Sequence, residues 1–554
     1  MKSQSHLKNI VILLALGYVF LMLGNGMLSL TNPDEVFYSQ TAREMKQQGS
    51  WMTPYLFGQP QFEKPIMTYW FLRLAFEAGG AGPFAARFFP AFFGMIGVLA
   101  VYLLGWLGFR DQRKAFLSAV ILLSCGLYVG LSRTVFTDLI FTVFILLSSL
   151  AFFWGYAVEK RRQAGWVLFF AFCAMAVLTK GPLGLIIPFC AVLAFLLARR
   201  EIAVLKGWGF PLGIAVFGLL ALPWYIFMIK TYGTVFTREF FVNDHWRRVV
   251  EAEHPAADTW YYYPLTTIGS MFPWSVFFIS AAVWLVRTFR RRSNPFFLYL
   301  ICWTVVTFII FQSAHSKLTS YIFPYFPALA LITGFFFVEA EQKKWPRVLR
   351  AGMIATGVFC FGFPVGLVVA VKIVPEYVSQ PLPVLIFAAF LAVYLAVFLV
   401  FAWRRRFVPG FWMLAAFLPV LLAFSLWMTP HFESYVSSRK AGQYLKERGP
   451  ASDVILCSKF FARGIRFYTD KTIAVLDING SGYFSPHPVE YINTVDKLQS
   501  FLKRQPVTTA VLRKDYVEDL GRLIGDAYSH IVLYQAGDEY IVRILPKQAG
   551  LTGV

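Results

Sequence analysis

Charge is scarce in this chain. Asp, Glu, Lys and Arg make up 15% of its 554 residues, whereas hydrophobic residues make up 58% and aromatic residues 18%. A soluble globule of this size needs more polar surface than such a composition supplies, so a soluble fold is excluded. The composition instead predicts a polytopic α-helical membrane protein.

Acidic residues are scarcer than basic ones: 30 Asp and Glu stand against 51 Lys and Arg, which leaves a net charge of +21. A positive balance can indicate nucleic-acid binding. Here, however, the basic residues form short clusters between apolar runs, which is the pattern of membrane topology and not of a phosphate-reading face. We therefore expect no nucleic-acid partner.

Paired cysteines and common metal motifs are also missing. Cys457 stands outside the apolar runs, and the other five cysteines lie within them: Cys125, Cys173, Cys190, Cys302 and Cys360. This distribution excludes a disulfide framework and a CxxC metal site, and no HExxH spacing occurs. No small-residue cleavage site precedes the polar block at Asn32–Asp34, so we expect the first apolar run to be a retained span.

Long apolar runs are abundant. A window of about twenty residues predicts thirteen spans, at 10–30, 84–108, 115–132, 137–158, 165–180, 182–198, 209–229, 265–287, 296–312, 321–339, 351–372, 383–403 and 409–429. Seven basic clusters fall in alternate loops: Lys2/Lys8, Arg110-Arg113-Lys114, Lys160-Arg161-Arg162, Arg199-Arg200-Lys206, Arg287-Arg290-Arg291-Arg292, Lys343-Lys344-Arg347-Arg350 and Arg404-Arg405-Arg406. The positive-inside rule places these clusters and the N-terminus in the cytoplasm, and loops 31–83 and 230–264 and the C-terminus outside.

Long apolar runs give way to alternating strand and helix patterns along the chain, and this change predicts two domains. Residues 1–430 form a predicted transmembrane domain, whose external loops carry amphipathic helices at Glu35–Gln48 and Arg238–Val250. Residues 431–554 form a predicted small external α/β domain. Its strands are expected at Val454–Cys457, Ile473–Val475, Thr508–Val511, Ile531–Tyr534 and Tyr540–Ile544, and its helices at Ser438–Arg448, Val495–Arg504 and Tyr516–Ile524.

The stretch Asn32–Trp70, between the first two spans, is too polar for lipid and is a candidate site floor. The alternative is a solvated loop whose aromatic residues mark the interface. Ionisable residues near the external span ends are few: Asp34, Glu35, Glu63, Lys64, Arg87, Arg133, Asp138, Lys180, Asp244, His245, Arg247, Arg248, His315, Lys317 and His431. Charges at such positions are costly and tend to be kept for pairing or function.

Asp138 stands at the head of the fourth predicted span. It is a candidate functional carboxylate; the alternatives are an ion pair with Arg133 or a helix N-cap. Carboxylates grouped with Lys and Arg on one external face suit a reaction at an anionic lipid head group, because cations stabilise phosphate oxygens and carboxylates orient an amine or hydroxyl, bind a metal or act as a base. Glu63 and His431 are a candidate pair of ligands for a divalent metal ion.

The run DEVFYSQTAREMKQQGSWMTPYLFGQPQFEKPIMTYW resembles the first external loop of a known family. That family comprises the bacterial aminoarabinose (4-amino-4-deoxy-L-arabinose) lipid A transferases and their GT-C relatives of the dolichyl-phosphate-mannose-protein mannosyltransferase type. Further matching segments follow in the family's order: Asp138, Leu178-Thr179-Lys180-Gly181, His245-x-x-Arg248, Trp260-Tyr261-Tyr262, Phe272-Pro273-Trp274 and Ser316-Lys317-Leu318-x-x-Tyr321.

The resemblance implies a GT-C fold of about thirteen transmembrane helices with a periplasmic C-terminal domain, in the bacterial inner membrane. It implies a sugar donor linked to undecaprenyl phosphate, and a lipid A, lipopolysaccharide-type or other cell-envelope acceptor. Asp34 and Asp138 would be catalytic, and Lys64, Arg248 and Tyr321 would hold the donor phosphate. The supporting residues would be Glu35, Tyr38, Glu63, Lys180, His245 and Lys317, with Glu63 joining the site network or binding metal.

Two positions depart from the family pattern. Phe37 stands where an arginine is common, and Gln40 stands where an acidic residue follows Tyr38 by two places. These changes remove a cation and an acid near Asp34, so the resemblance extends to the donor class and leaves the sugar and acceptor open.

Sugar transfer is the leading hypothesis, and a flippase or transporter of polyprenyl-linked sugars is the alternative. Many spans with internal charge would suit a transporter. Transporters commonly carry internal repeats and mid-membrane sites, whereas this sequence shows no repeat of hydropathy and its charges cluster on one face.

Overall fold

The structure is a computed structural model that describes residues 2–288, 294–343, 345–375, 378, 380–480 and 489–547. Four members of the predicted basic clusters lie outside the described residues: Arg290, Arg291, Arg292 and Lys344.

The first and larger part of the chain is helical. Its α-helices are α1 (Lys2–Gly17), α2 (Asp34–Gln47), α3 (Met67–Gly79), α4 (Pro83–Phe109), α5 (Gln112–Leu123), α6 (Gly126–Ser132), α7 (Thr137–Ala157), α8 (Arg162–Lys180), α9 (Leu183–Arg199), α10 (Gly209–Thr237), α11 (Arg247–Val250), α12 (Tyr262–Ser270), α13 (Ser275–Thr288), α14 (Pro295–Gln312), α15 (Phe326–Gln342), α16 (Pro346–Cys360), α17 (Gly362–Ile373), α18 (Pro381–Trp403) and α19 (Phe407–Val436). Tyr18–Met22 and Arg238–Trp246 are π-helical, and short 3-10 turns occur at Glu159–Arg161, Ile202–Leu205, Pro255–Ala257 and Phe323–Tyr325.

Ten helices within the described residues are long and apolar enough to cross a membrane, and the number rises to twelve if each of two bent pairs is one span. The bent pairs are α5 with α6, at 64°, and α12 with α13, at 119°. The chain is therefore a polytopic helical membrane protein, as predicted. The one predicted span not among these twelve, 182–198, corresponds to α9, which has 17 residues. A helix of that length is about 25 Å long, shorter than the roughly 30 Å hydrocarbon core, so the count of thirteen stays a prediction.

Loop 31–83 folds into α2, a two-stranded hairpin of β1 (Tyr55–Leu56) and β2 (Gln59–Pro60), and α3. The prediction of an interfacial amphipathic helix here is wrong in one respect: α2 is packed into the protein. Glu35, Val36, Ala42 and Met45 are all buried, because α2 lies between α3 and a helix of the C-terminal domain. The loop is thus a folded part of the core.

The C-terminal part is an α/β domain with one mixed sheet. Its helices are α20 (Arg439–Arg448), α21 (Lys459–Thr469), α22 (Val495–Lys503) and α23 (Lys514–Ile524). Its strands are β3 (Val454–Ser458), β4 (Thr472–Leu476), β5 (Glu490–Ile492), β6 (Thr508–Leu512), β7 (Tyr528–Ala536) and β8 (Glu539–Pro546).

The sheet order is β5-β4-β3-β6-β8-β7. The first four strands pair in parallel, and β8 joins β6 and β7 antiparallel. The five predicted strands and three predicted helices are present, whereas β5 and α21 were not predicted. The domain boundary predicted after residue 430 falls inside α19, which continues to Val436.

Candidate active site

A cavity of about 220 Å³ collects most of the predicted site residues. Its lining comes from α2, the segment before α3, the start of α7, the end of α8, α11 and the loop after it, the segment before α15, and α21. The predicted site residues that line it are Asp34, Tyr38, Glu63, Lys64, Asp138, Lys180, Arg248 and Tyr321. The structure thus brings together residues that span nearly 300 positions in sequence.

The two predicted catalytic carboxylates each lie in the first turn of a helix. Asp34 begins α2, and Asp138 is the second residue of α7. A helix N-terminus favours negative charge, which gives both positions a local reason to carry a carboxylate. Both side chains line the one cavity.

Asp138 is paired, but not with Arg133. Lys180 Nζ donates to Asp138 Oδ1, and the two side chains are 12% and 7% exposed. Arg133 instead donates to the backbone carbonyls of Phe20 and Leu23. The turn at Gly181, with φ of 86°, ends α8 directly after Lys180, so that Lys180 projects from the last turn of its helix. Asp138 therefore belongs to the cavity and not to the alternative ion pair.

The two cations predicted to hold phosphate share one carboxylate. Lys64 Nζ lies 2.8 Å from Asp244 Oδ2, and Arg248 Nη2 lies 3.1 Å from Asp244 Oδ1. Asp244 is 5% exposed at its side chain. A buried carboxylate between two cations fixes their positions relative to each other.

The predicted tyrosine joins this cation group. Arg248 Nη1 donates to the Tyr321 hydroxyl, and Lys180 Nζ lies 4.2 Å from the centroid of the Tyr321 ring. Tyr321 therefore connects the Lys64–Asp244–Arg248 group with the Lys180–Asp138 pair.

Burial and neighbouring charge act in opposite directions on the carboxyls in the external loop. Desolvation raises the pKa of Asp34 above its ordinary value; Arg463 opposes the shift, while Glu63 and Asp138 add to it. Desolvation likewise raises the pKa of Glu63, against the effect of Lys64 and Arg463. Raised carboxyl pKa values in a polar cavity are typical of groups that exchange a proton or contact a ligand.

Three predicted supporting residues are not among the residues that line the cavity. Glu35 is buried and is held by Arg87, whose Nε donates to it at 2.8 Å. Lys317 donates to Asp258 Oδ1. His245 packs behind the cavity, with Nδ1 2.6 Å from the carbonyl of Phe240. Their partners give Glu35 and Lys317 structural reasons to be charged.

The proposed metal pair finds no support in the geometry. Glu63 lines the cavity, and His431 is not among its lining residues. Across the described ranges, no group of three or more His, Cys, Asp or Glu side chains could hold a metal ion.

Sequence reasoning did not assign two charged cavity residues, Glu253 and Arg463, nor Asp244, which pairs with the cavity residues Lys64 and Arg248. Asp244 stands four residues before Arg248, a spacing that puts the pair on one helix face and would have indicated it. Glu253 accepts an ion pair from Arg248 Nη1 at 3.1 Å. Arg463 comes from α21 in the C-terminal domain, and nothing in its local sequence points to a site in the other domain.

Comparison with known proteins agrees with the geometry. The family model described as dolichyl-phosphate-mannose-protein mannosyltransferase matches residues 9–233. A protein of Sodalis glossinidius named undecaprenyl phosphate-α-4-amino-4-deoxy-L-arabinose arabinosyl transferase 1 is 30% identical over 407 residues, which is 71% of each chain. This chain belongs to that arabinosyl transferase family.

Two further relatives with the same name align over less of their length. A Pectobacterium atrosepticum relative is 32% identical over 376 residues, which covers 65% of this chain and 66% of the relative. An Erwinia tasmaniensis relative is 33% identical over 309 residues, which covers 55% of each. This chain thus spans between about half and two thirds of these curated relatives.

Solved structures share the fold of this chain through both domains. The crystal structure of ArnT from Cupriavidus metallidurans bound to undecaprenyl phosphate is 20% identical to this chain, with a TM-score of 0.78, and the match covers 96% of this chain and 97% of that one. The apo state of the same protein gives a TM-score of 0.77. At this identity the match shows the fold, and the sheet domain is part of it.

Proposed function

We propose that this chain is an integral-membrane glycosyltransferase that moves a sugar from undecaprenyl phosphate to a lipid or glycan acceptor. The observation that carries the proposal is the single cavity in which Asp34 and Asp138 lie with Lys64 and Arg248. Carboxylates can activate an acceptor while cations stabilise a departing phosphate, so the cavity holds both halves of a transfer reaction. The names of the relatives support 4-amino-4-deoxy-L-arabinose as the sugar.

The donor phosphate is the ligand for the cation group. Lys64 and Arg248 are held apart and oriented by Asp244, and the Tyr321 hydroxyl can join them as a donor. Hydrogen bonds between charged donors and phosphate oxygens are short and strong, so this group offsets the negative charge that grows on the leaving phosphate.

The reaction forms a bond between an acceptor oxygen and the anomeric carbon of the sugar, while the bond from that carbon to the phosphate oxygen breaks. Undecaprenyl phosphate is the leaving group. If the acceptor is a hydroxyl, its proton passes to Asp34 or Asp138; if it is a phosphate, as on lipid A, no strong base is needed.

A second cavity gives room for the acceptor. It has a volume of about 1020 Å³ and lies between the external loops and the C-terminal domain. Four residues line both cavities: Asp34, Glu253, His254 and Arg463. Its polar lining suits the head group of a lipopolysaccharide-type acceptor, and its shared wall brings that head group to Asp34.

The proposed location is the bacterial inner membrane, with the N-terminus in the cytoplasm. Loops 31–83 and 230–264 and the C-terminal domain are then periplasmic. Positive charge on the alternate loops supports this orientation.

The test uses the full-length chain in lipid nanodiscs, with undecaprenyl phosphate-4-amino-4-deoxy-L-arabinose as donor and lipid A as acceptor. Mass spectrometry should show lipid A gaining one aminoarabinose unit and the donor becoming undecaprenyl phosphate. In a deletion strain, the same group should be missing from its acceptor, which names the acceptor if it is not lipid A. Movement of donor across liposomes without any new sugar-acceptor bond would contradict the proposal in favour of a transporter.

A further inference from the structure

The C-terminal domain reaches the active-site cavity through one side chain. Arg463 Nη1 lies 3.9 Å from Asp34 Oδ1, and its guanidinium carbon lies 4.7 Å from the centroid of the Phe37 ring. The Arg463 side chain is 12% exposed. All the other residues that line this cavity belong to the membrane domain.

Arg463 lies on α21, which packs against α2, the helix that begins with Asp34. Arg43 of α2 donates to the carbonyl of Phe467 at 2.7 Å and pairs with Asp470 at 2.6 Å. The guanidinium of Arg43 also lies 4.5 Å from the centroid of the Phe467 ring. These contacts fix the far ends of α2 and α21 against each other.

The near ends are fixed as well. The backbone N–H of Asn32 donates to the carbonyl of Val436 at 2.9 Å, and Asn32 Nδ2 donates to Ser438 Oγ at 2.7 Å. Gly464 of α21 packs so closely against Asn32 and Ser438 that a Cβ there would collide with both side chains. Since Asn32 precedes Asp34 by two residues, the contacts of the C-terminal domain set where Asp34 starts its helix.

We propose that Arg463 is a positioning residue for Asp34, supplied by the C-terminal domain to keep the Asp34 carboxylate ionised and turned into the cavity. The inference rests on the proposed function, in which Asp34 acts on the acceptor. It assigns the C-terminal domain a direct part in the reaction at the membrane domain's active site.

The charges around Asp34 explain why a cation is needed beside it. Desolvation raises the pKa of Asp34, although half of its side chain is exposed, and three other acids, Glu63, Asp138 and Glu253, raise it further. Arg463 is the cation that lowers it. Residue 37 offers no charge of its own, but its aromatic ring provides a face on which the guanidinium of Arg463 lies.

The test compares transfer kinetics of full-length variants. R463Q and R463M both remove the charge, and Met keeps an unbranched apolar stem over Phe37. We expect either to lower kcat about two- to fivefold, the effect of an ion pair whose carboxylate side chain is half exposed, with little change in the KM for the donor. The acidic limb of the pH profile of kcat/KM should move to higher pH, because the pKa of Asp34 rises when Arg463 is gone. R463K should restore much of both.

A matched control is R466Q, an arginine on the same helix that does not line either cavity and donates to the carbonyl of Asp470. It should leave kcat and the pH profile unchanged. In a D34N background, R463Q should have no further effect, because a positioning residue acts through the group it positions.

The outcomes separate the inference from the proposed function. No transfer by the wild-type chain would count against the function itself. Transfer by the wild type, with kcat and acidic limb unchanged in a folded R463Q or R463M, would overturn the role of Arg463 alone. Failure of both neutral variants to fold, with R466Q folded, would also overturn it by making Arg463 a structural residue.

Discussion

At the scale of single residues, the sharpest prediction concerns the two aspartates that line the cavity. Asp34 and Asp138 lie on different helices and line one cavity. Asn keeps their size and most hydrogen bonds while deleting the charge. We expect D34N and D138N each to lower kcat about a hundredfold or more if the residue acts as a base.

The pH dependence has a defined sign. A base must be ionised, so activity falls as pH drops through its pKa. Because burial raises the pKa of Asp34, the acidic limb should lie above the usual range for an aspartate and should be absent in D34N. The matched control is D526N, at an exposed position of the C-terminal domain. Near wild-type rates in both D34N and D138N would make these aspartates structural.

The cation group gives a second residue-scale prediction. K64A and R248A should each reduce kcat/KM for the donor about tenfold or more, since charge-assisted contacts contribute roughly 1.5–3 kcal/mol each. Binding of undecaprenyl phosphate alone should weaken in parallel. R238A, an exposed arginine on the same external segment, is the control. Unchanged phosphate binding in folded K64A and R248A would remove them from the donor site.

The resemblance to the arabinosyl transferase family predicted most of the cavity, because the residues concerned stand in segments that match the family's pattern. Asp34, Lys64, Arg248 and Tyr321 all come from such segments. Glu35 was predicted to support the site because it follows Asp34 directly. Adjacent residues of a helix point in different directions, so Asp34 faces the cavity whereas Glu35 faces Arg87. Arg463 was out of reach because its role depends on how two domains dock.

At the scale of elements, α21 is one of the two elements of the C-terminal domain that the sequence did not predict. Its sequence KFFARGIRFYT follows β3 directly and has a glycine at its centre, which lowers helix propensity by about 1 kcal/mol relative to alanine. That glycine is required by packing against Asn32 and Ser438. The membrane spans, by contrast, were predicted because hydropathy over twenty residues is a strong signal.

The docking of α21 is testable through this glycine. G464A should lower thermal stability and kcat together, because the added methyl pushes α21 away from the turn that precedes Asp34. G521A, in α23, is the matched control, because a Cβ there meets no atom within 4 Å, and it should be neutral or slightly stabilising. Equal stability and activity of G464A and G521A would contradict a tight α21 contact.

The buried acid Glu539 lies in the contact that includes Ser438, and it makes the stability of this contact depend on pH. Burial raises the pKa of Glu539 to about 8, the Ser438 hydroxyl donates to its Oε1, and its Oε2 has no partner among the described residues. Because the pKa of Glu539 is higher in the folded protein, the folded state holds its proton more tightly than the unfolded state does. This proton stabilises the folded state fully below the ordinary pKa of about 4.5, and the stabilisation is lost as the pH rises through 8.

We therefore expect E539Q to raise the unfolding temperature at pH 9 and to leave it nearly unchanged at pH 5. Thermal unfolding in detergent, with the exposed Glu518 changed to Gln as control, measures this. A stabilisation that is equal at both pH values would show that ionisation of Glu539 is not its cause.

At the scale of the whole molecule, the contact between domains bears on membrane topology. The C-terminal domain pairs with α2 through Arg43 and Asp470, so loop 31–83 and the C-terminal domain lie on the same side of the membrane. The first span separates the N-terminus from that loop. The N- and C-termini are then on opposite sides, which requires an odd number of crossings.

If each bent pair is one span, the full-length spans number twelve, which is even. We then expect α9 to be the thirteenth crossing despite its 17 residues. Single cysteines in a cysteine-free background at Gln48, Lys206 and Asp526, all exposed, test this. A membrane-impermeant maleimide applied to intact spheroplasts should label positions 48 and 526 and should reach 206 only after permeabilisation. Labelling of 206 from outside would show that α9 does not cross, and the positive cluster around Arg200 would then be periplasmic, against the charge rule that orients every other loop.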